Sequence, residues 1–172
     1  MKKIPLNVIA FIFVMLLSCG EKSAPPDPFA DNEIKATISV DGAAPILCES
    51  KGNATLFVRR TESNGTIITT IVGCSQVNIS LANISSPGTY FIDSTLSGQN
   101  SSASCQYIVG NPYAPTDMFF SSAYKQNTGN LPGTVVVESV SSSYIKGTFS
   151  AFCMNNTGKQ VRITNGSFKG NF

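Results

Sequence analysis

The C-terminal third of the chain carries the strictest pattern in the sequence, an alternation of apolar and polar residues. The alternation runs through residues 134–140, stops at the serines of 141–143, and resumes over residues 144–153. Successive side chains of a β-strand point to opposite faces of a sheet, so each run predicts a half-buried strand. The two runs and the short break between them predict a β-hairpin.

The same pattern predicts the register of this hairpin. A slip of one residue would move every apolar side chain to the opposite face, and a register with Val140 opposite Tyr144 avoids that. The other predicted pairs are Val137 with Gly147, Val135 with Phe149, and Glu138 with Lys146. A third strand, with Val161 and Ile163 inward, follows the turn at residues 156–159, so the segment is predicted to be a β-meander.

Short alternating runs bounded by turn residues recur in the rest of the chain. The predicted strands are residues 34–40, 54–60, 66–72, 77–81, 89–92 and 105–109, with 117–124 as a further candidate. No stretch of ten or more residues after the N-terminal segment has a helical period. About nine short strands predict an all-β fold, an antiparallel β-sandwich over residues 34–172, with an open or closed β-barrel as the alternative.

The first residues are typical of a lipoprotein signal peptide. Two lysines precede an apolar run, Val8 to Leu17, which is shorter than the roughly 20 residues of a membrane-spanning helix. The run ends in Leu16-Leu17-Ser18-Cys19, which resembles the lipobox of bacterial lipoproteins, where the cysteine is acylated and becomes the mature N-terminus. We therefore expect residues 1–18 to be a signal peptide and Cys19 to carry lipid. The alternatives are a plain secretory peptide and an uncleaved anchor helix.

Residues 19–33 are predicted to be a flexible tether between the lipid and the domain. Pro25, Pro26 and Pro28 cannot donate to a strand ladder, so this segment is expected to be semi-extended. Acyl chains on Cys19 hold a protein on a membrane because each buried methylene contributes ~0.8 kcal/mol. Gly20 replaces the aspartate that tends to signal inner-membrane retention in similar lipoproteins, which favours the outer membrane and leaves its periplasmic or surface face open.

The charge balance argues against a nucleic acid as partner. The chain has 12 basic and 10 acidic residues, and loss of Lys2 and Lys3 with the signal peptide leaves the mature protein neutral. Nucleic-acid binding depends on neutralising phosphates with an excess of basic side chains. Only 13% of the residues are charged, which is common among exported all-β domains.

Four cysteines remain after Cys19, an even number in a protein expected to be exported. They predict two disulfides among three possible connectivities. Cys105 begins its predicted strand and Cys153 ends its own, at the same end of the sheet, while Cys48 and Cys74 flank one hairpin. We therefore expect the pairs Cys48–Cys74 and Cys105–Cys153. A metal site is disfavoured because the chain has no Cys-x-x-Cys spacing and no histidine, and no cofactor is expected.

Catalytic patterns are missing from the sequence. Without histidine there is no triad of the usual kind and no imidazole base, so we expect a protein that is not an enzyme. The domain's acidic residues are expected to be surface carboxylates: Asp41, Glu49, Glu62, Asp93, Asp117 and Glu138. A glycoside hydrolase that uses two of them is a remote alternative. Asp93-Ser94-Thr95 resembles the O-glycosylation site of Bacteroidota, which makes Ser94 a possible glycan attachment site.

Several short motifs resemble a known family. In order they are Gly88-Thr89-Tyr90, Cys105-Gln106-Tyr107, Gly147-Thr148-Phe149-Ser150-Ala151, and Gly158-Lys159 followed by Ile163 to Phe168. Together they are similar to uncharacterised lipoproteins of Bacteroidota whose domain has no assigned function. The distinctive part is a Gly-Thr-Phe motif followed by Thr-Asn-Gly-x-Phe. The cysteines depart from the usual pattern, as does Ala43-Ala44-Pro45, where a tryptophan is often found.

The resemblance implies a location and a fold, and no chemistry. We expect a lipid-anchored protein of the outer membrane whose domain is a non-catalytic binding or interaction module for a glycan, a peptide or an envelope protein. The alternative is a structural accessory subunit of an envelope complex. The aromatic residues expected to bear on this choice are Tyr107, Tyr113, Phe119, Phe120 and Tyr124.

Overall fold

The computed structural model describes residues 30–74, 76–93, 101–111 and 113–172. These residues form an antiparallel β-sandwich, which confirms the predicted fold class. The strands are β1 Glu33–Val40, β2 Ile46–Lys51, β3 Leu56–Thr61, β4 Ile67–Gly73, β5 Val77–Ala82, β6 Gly88–Phe91, β7 Ser102–Asn111, β8 Ala114–Phe120, β9 Gly133–Val140, β10 Tyr144–Met154 and β11 Gln160–Asn171. A 3-10 helix, Gly52–Ala54, precedes β3, and one α-helix, α1, covers Ser121–Thr128.

The long strand β10 belongs to both layers of the sandwich. Along one edge it pairs with β11, which continues to β1 and β2. Its other edge pairs with β9 over most of its length and then with β8 at Met154, from which β7, β5, β4 and β3 follow. The layers face each other where Phe57 of β3 packs over Gly170 of β11 and Ile34 of β1 packs against Gly73 of β4. Over the described residues the sheet does not close into a barrel.

The predicted register of the β9–β10 hairpin is correct for the pairs far from the turn and is shifted by one residue next to the turn. Val137 pairs with Gly147 and Val135 with Phe149, as predicted. The prediction that Val140 faces Tyr144 is wrong, because Val140 pairs with Ile145. A β-bulge causes the shift: Lys146 pairs with Ser139, so Glu138 is the extra residue of β9. The Glu138 carboxylate still lies 2.7 Å from the Lys146 ammonium.

The Gly-Thr-Phe and Thr-Asn-Gly-x-Phe motifs form two reciprocal pairs across β10 and β11. Gly147 pairs with Phe168, and Phe149 pairs with Gly166. Each phenylalanine ring lies over the opposite glycine, so that a Cβ on Gly166 would be 2.5 Å from the Phe149 ring. The two rings are buried 6.2 Å apart between centroids. The glycines therefore make room for the aromatic part of the core.

Two segments differ from the predictions. Strand β2 was not predicted, because it is an edge strand whose largest aliphatic residues, Ile46 and Leu47, are exposed and leave no clear alternation. The candidate strand 117–124 is wrong in its second half, where the chain turns into α1 after Phe120. Gly129 ends α1 in the left-handed region, at φ 72°, and its N–H donates to the Lys125 carbonyl.

The domain makes ordered contacts slightly before residue 34. Asn32 is buried, and its side-chain oxygen accepts the backbone N–H of Asn171 at 2.7 Å. The Gly52 N–H donates to the Asn32 carbonyl. The start of β1 is thus tied to the end of β11. In the part of the chain that the structure describes, no helix has the length and hydropathy needed to cross a membrane.

Candidate functional site

Two of the predicted site residues, Cys19 and Ser94, lie outside the described residues. Lipid attachment at Cys19 and glycan attachment at Ser94 therefore stay predictions. The described residue next to Ser94 is Asp93, whose carboxylate lies 2.5 Å from the Lys125 ammonium on α1.

The other four cysteines come together in the predicted pairs, as thiols. The Cys74 thiol lies beside that of Cys48 and donates to the Ile34 carbonyl at 3.9 Å. The Cys153 thiol lies beside that of Cys105 and donates to the Cys105 carbonyl at 3.6 Å. Neither pair is at the distance of a disulfide bond. Burial raises the pKa of Cys74 well above its usual value, with the Cys48 contact as the next cause. The hydrogen bond with Cys105, followed by burial, raises the pKa of Cys153.

Several carboxylates of the domain are bound to basic or amide groups. Glu33 contacts Lys35 and Lys169, Glu49 contacts Lys51 and Lys35, Glu62 contacts Arg60, and Asp117 accepts both hydrogen bonds of the Asn155 amide. The hydrogen bond from Lys35 lowers the pKa of Glu33, and that from Lys51 lowers the pKa of Glu49. These two carboxylates share Lys35, and both are held ionised.

The aromatic residues divide between core and surface. Phe119 is in the core and its ring lies 6.1 Å from that of Tyr107, whereas Tyr113 is 96% exposed. Tyr124 of α1 stacks on Phe152 of β10 with 5.2 Å between ring centroids, and the Arg162 guanidinium lies over the Phe152 ring, 5.6 Å from its centroid. Phe120 is half-buried at the end of β8.

The outward side chains of β5 and β7 lie next to Phe120 of β8. Asn78 of β5 lies opposite Gln106 of β7, Ser80 lies opposite Ser104, and Gln106 lies opposite Phe120. Their neighbours along each strand are buried in the core or, at Tyr107, packed against it, so Asn78, Ser80, Ser104 and Gln106 form one outward array. The array extends across two central strands of the second layer, each paired on both of its edges.

Helix α1 closes one side of the array. Its first residue, Ser121, is buried, and the Ser121 hydroxyl oxygen accepts the backbone N–H of Cys105 at 3.1 Å. The first turn of α1 therefore sits on β7. Its later residues pack against β10 through the stacked pair Tyr124 and Phe152.

Strands and helix together enclose a groove of about 220 Å³, which we call the polar groove. The residues that line it are Asn78, Ser80, Ser104, Cys105, Gln106, Phe120, Ser121 and Ser122. None of these eight is charged. The Ser80 hydroxyl has one long contact, 3.5 Å, with the Asn78 side-chain oxygen. The Ser104 hydroxyl and the Gln106 amide have no hydrogen-bond partner among the described residues.

A second, more open cavity of about 440 Å³ lies at the far end of the sandwich, beside Arg59, Val140 and Ser141. The Arg59 guanidinium donates to the Ser141 carbonyl at 2.7 Å and lies 5.6 Å from the ring centroid of Phe172. Its charged group is therefore already bound within the protein. We therefore take the polar groove as the candidate site.

Sequence reasoning did not single out the four polar residues of the groove. Asn78 and Ser80 appeared only as the polar half of an alternating strand, and Gln106 as part of a family-like motif. The available signal was the absence of charge at the outward positions of two predicted strands, residues 77–81 and 105–109.

Comparison of the chain with protein-family models, with curated proteins and with solved structures found no match. The resemblance to Bacteroidota lipoproteins therefore stays a hypothesis that rests on the motifs themselves.

Proposed function

We propose that this protein is a lipid-anchored envelope protein whose β-sandwich is a non-catalytic binding module. The polar groove is the observation that carries the binding role. Its Ser104 hydroxyl and Gln106 amide have no hydrogen-bond partner among the described residues, and a half-buried phenylalanine ring lies beside them. Ligand sites commonly combine an apolar surface with a few polar groups that fix the orientation of the ligand.

The carboxylate environments support binding over hydrolysis. Glycoside hydrolysis needs a protonated carboxylic acid beside a second carboxylate, and the pKa of that acid is usually raised. Glu33 and Glu49 have lowered pKa values instead, because lysine side chains contact both. The polar groove itself is lined by no carboxylate side chain among the described residues.

The anchoring half of the proposal rests on the N-terminal sequence. The basic start, the short apolar run and the Leu-Leu-Ser-Cys ending are separate signals that agree on Cys19 as the lipid-bearing residue. The polar, proline-rich segment that follows would hold the domain away from the bilayer.

Density-gradient fractionation of the native host's envelope tests the proposal. We expect the full-length protein in the outer-membrane fraction, and we expect it to stay there after a high-salt wash, because an acyl anchor does not depend on charge. Release by salt, or recovery in a soluble fraction, would contradict the anchor. Stoichiometric co-purification of one envelope protein after detergent extraction would favour the accessory-subunit alternative.

We also infer that the two cysteine pairs are oxidised in the exported protein. Each pair would lose two protons and two electrons to form one S–S bond, and the disulfide of a thiol oxidoreductase would be reduced to a dithiol in exchange. The contacts Cys48–Cys74 and Cys105–Cys153 support this pairing over the other two connectivities.

Reduction of these bonds is expected to destabilise the domain. A disulfide typically stabilises a protein by about 2–4 kcal/mol, so reduced protein should unfold at a lower denaturant concentration than oxidised protein. Peptide mapping without reductant should yield linked peptides containing Cys48 with Cys74 and Cys105 with Cys153. A Cys74–Cys105 peptide would contradict the pairing, and four alkylated thiols in protein taken from the envelope would contradict the oxidation.

A further inference from the structure

We propose that the polar groove binds a neutral glycan. This inference rests on the proposed binding function and names both the site and the class of ligand. Its observation is a set of amide and hydroxyl groups on a sheet face next to an aromatic ring, in a lining without charged side chains. Among the described residues, the Ser104 hydroxyl and the Gln106 amide of this set have no hydrogen-bond partner.

The spacing of the array suits the hydroxyl groups of a sugar. Directly opposite residues on paired strands have Cβ atoms about 5 Å apart, and alternate residues along one strand are about 7 Å apart. Asn78, Gln106, Ser80 and Ser104 occupy the four corners of such an array. A monosaccharide with hydroxyls around its ring can reach several of these corners at once.

The hydrogen-bonding groups of the groove also match those of a sugar. A sugar hydroxyl both donates and accepts, as do serine hydroxyls and carboxamides, whereas charged side chains do only one of these. Polar groups buried under a ligand cost free energy unless they find partners, so the unpaired Gln106 amide and Ser104 hydroxyl favour a ligand rich in hydroxyls. The half-buried Phe120 side chain in the lining adds an apolar surface for the C–H groups of a sugar ring.

An acidic ligand and an extended peptide fit less well. A carboxylated or sulfated glycan would bring charge to a groove that has no charged side chain to pair with it. A peptide that binds by strand addition needs a free sheet edge, and β5 is already paired with β4 and β7 while β7 is paired with β5 and β8. The backbone of this surface is therefore not available to a peptide.

Titration calorimetry on the detergent-solubilised, full-length protein tests the inference. The probes are hexasaccharides of glucose, mannose, xylose and N-acetylglucosamine, with hexagalacturonate as the acidic comparison. We expect saturable binding of at least one neutral hexasaccharide and weaker binding of hexagalacturonate. No binding of any neutral probe, or a preference for the acidic one, would overturn the inference.

Variants locate the binding. Asn78→Leu combined with Gln106→Leu removes both amides at similar volume and should weaken binding at least tenfold. The control, Thr37→Val with Thr164→Val, removes two paired outward hydroxyl groups from β1 and β11 in the other layer and should bind like the wild type. If the double leucine variant does not fold by circular dichroism, Ser80→Ala with Ser104→Ala takes its place. Unchanged affinity in the groove variant would place binding elsewhere.

The outcome separates this inference from the proposed function. If the protein fractionates with the outer membrane but binds neutral glycans equally well with and without the groove amides, the proposed function stands and the polar groove is not the binding site. If the protein is released by salt, yet the groove variant loses glycan binding, the polar groove is the binding site and the lipid anchor is contradicted.

Discussion

Gly147→Ala is expected to lower the stability of the domain by about 3 kcal/mol or more. A Cβ at this position would lie 2.3 Å from the Val136 carbonyl oxygen and 2.7 Å from the ring of Phe168. Overpacking in a core usually costs about 1–3 kcal/mol, and here one of the two obstacles is backbone, which cannot rotate away. Thermal unfolding should show a midpoint lower by roughly 10 °C.

Gly88→Ala is the matched control for this variant. Gly88 is also a strand glycine, but the nearest atom to its Cβ would be the Tyr90 hydroxyl oxygen at 3.5 Å, an ordinary contact. Gly→Ala at an unstrained position changes stability by less than about 1 kcal/mol, and often raises it. Gly166→Ala, which would press on the Phe149 ring, should resemble Gly147→Ala. Equal midpoints for Gly147→Ala and Gly88→Ala would show that the reciprocal glycine–phenylalanine packing is misinterpreted.

Cys19→Ser is expected to abolish acylation and to leave the protein unprocessed or released from the membrane. Serine has no thiol to receive lipid, whereas the domain keeps every strand of the sandwich. Metabolic labelling with a fatty-acid probe measures this directly. Ser18→Ala serves as the control, because alanine keeps a small residue before the cysteine and should retain the label. Label that persists in Cys19→Ser would refute the assignment of the first twenty residues.

The meander was predictable because its alternation reports directly which side chains share a face. The alternation determines only which face of the sheet each side chain is on. It could not reveal the β-bulge that makes Glu138 an extra residue and pairs Val140 with Ile145. Cys105 and Cys153 are both buried, as expected for residues at the apolar positions of their alternating strands.

The missed elements lacked a periodic signal. Strand β2 is exposed along much of its length, so its two aliphatic residues do not alternate with polar ones. Helix α1 has only eight residues, too few for a helical period to stand out. The polar groove arises from tertiary pairing, because β5 and β7 are neighbours in the sheet while β6, between them in sequence, pairs with β9 instead. No local pattern could place Asn78 beside Gln106.

The intact mass of the mature protein, purified from its own host, tests the central claim most directly. The account predicts a polypeptide that begins at Cys19 and carries the added mass of two or three fatty acyl chains. After mild hydrolysis of the ester-linked lipid, that added mass should fall by whole acyl chains. An unlipidated chain that begins at Met1, or a mature chain that begins beyond Cys19, would contradict the claim that this sandwich is held on the membrane by lipid.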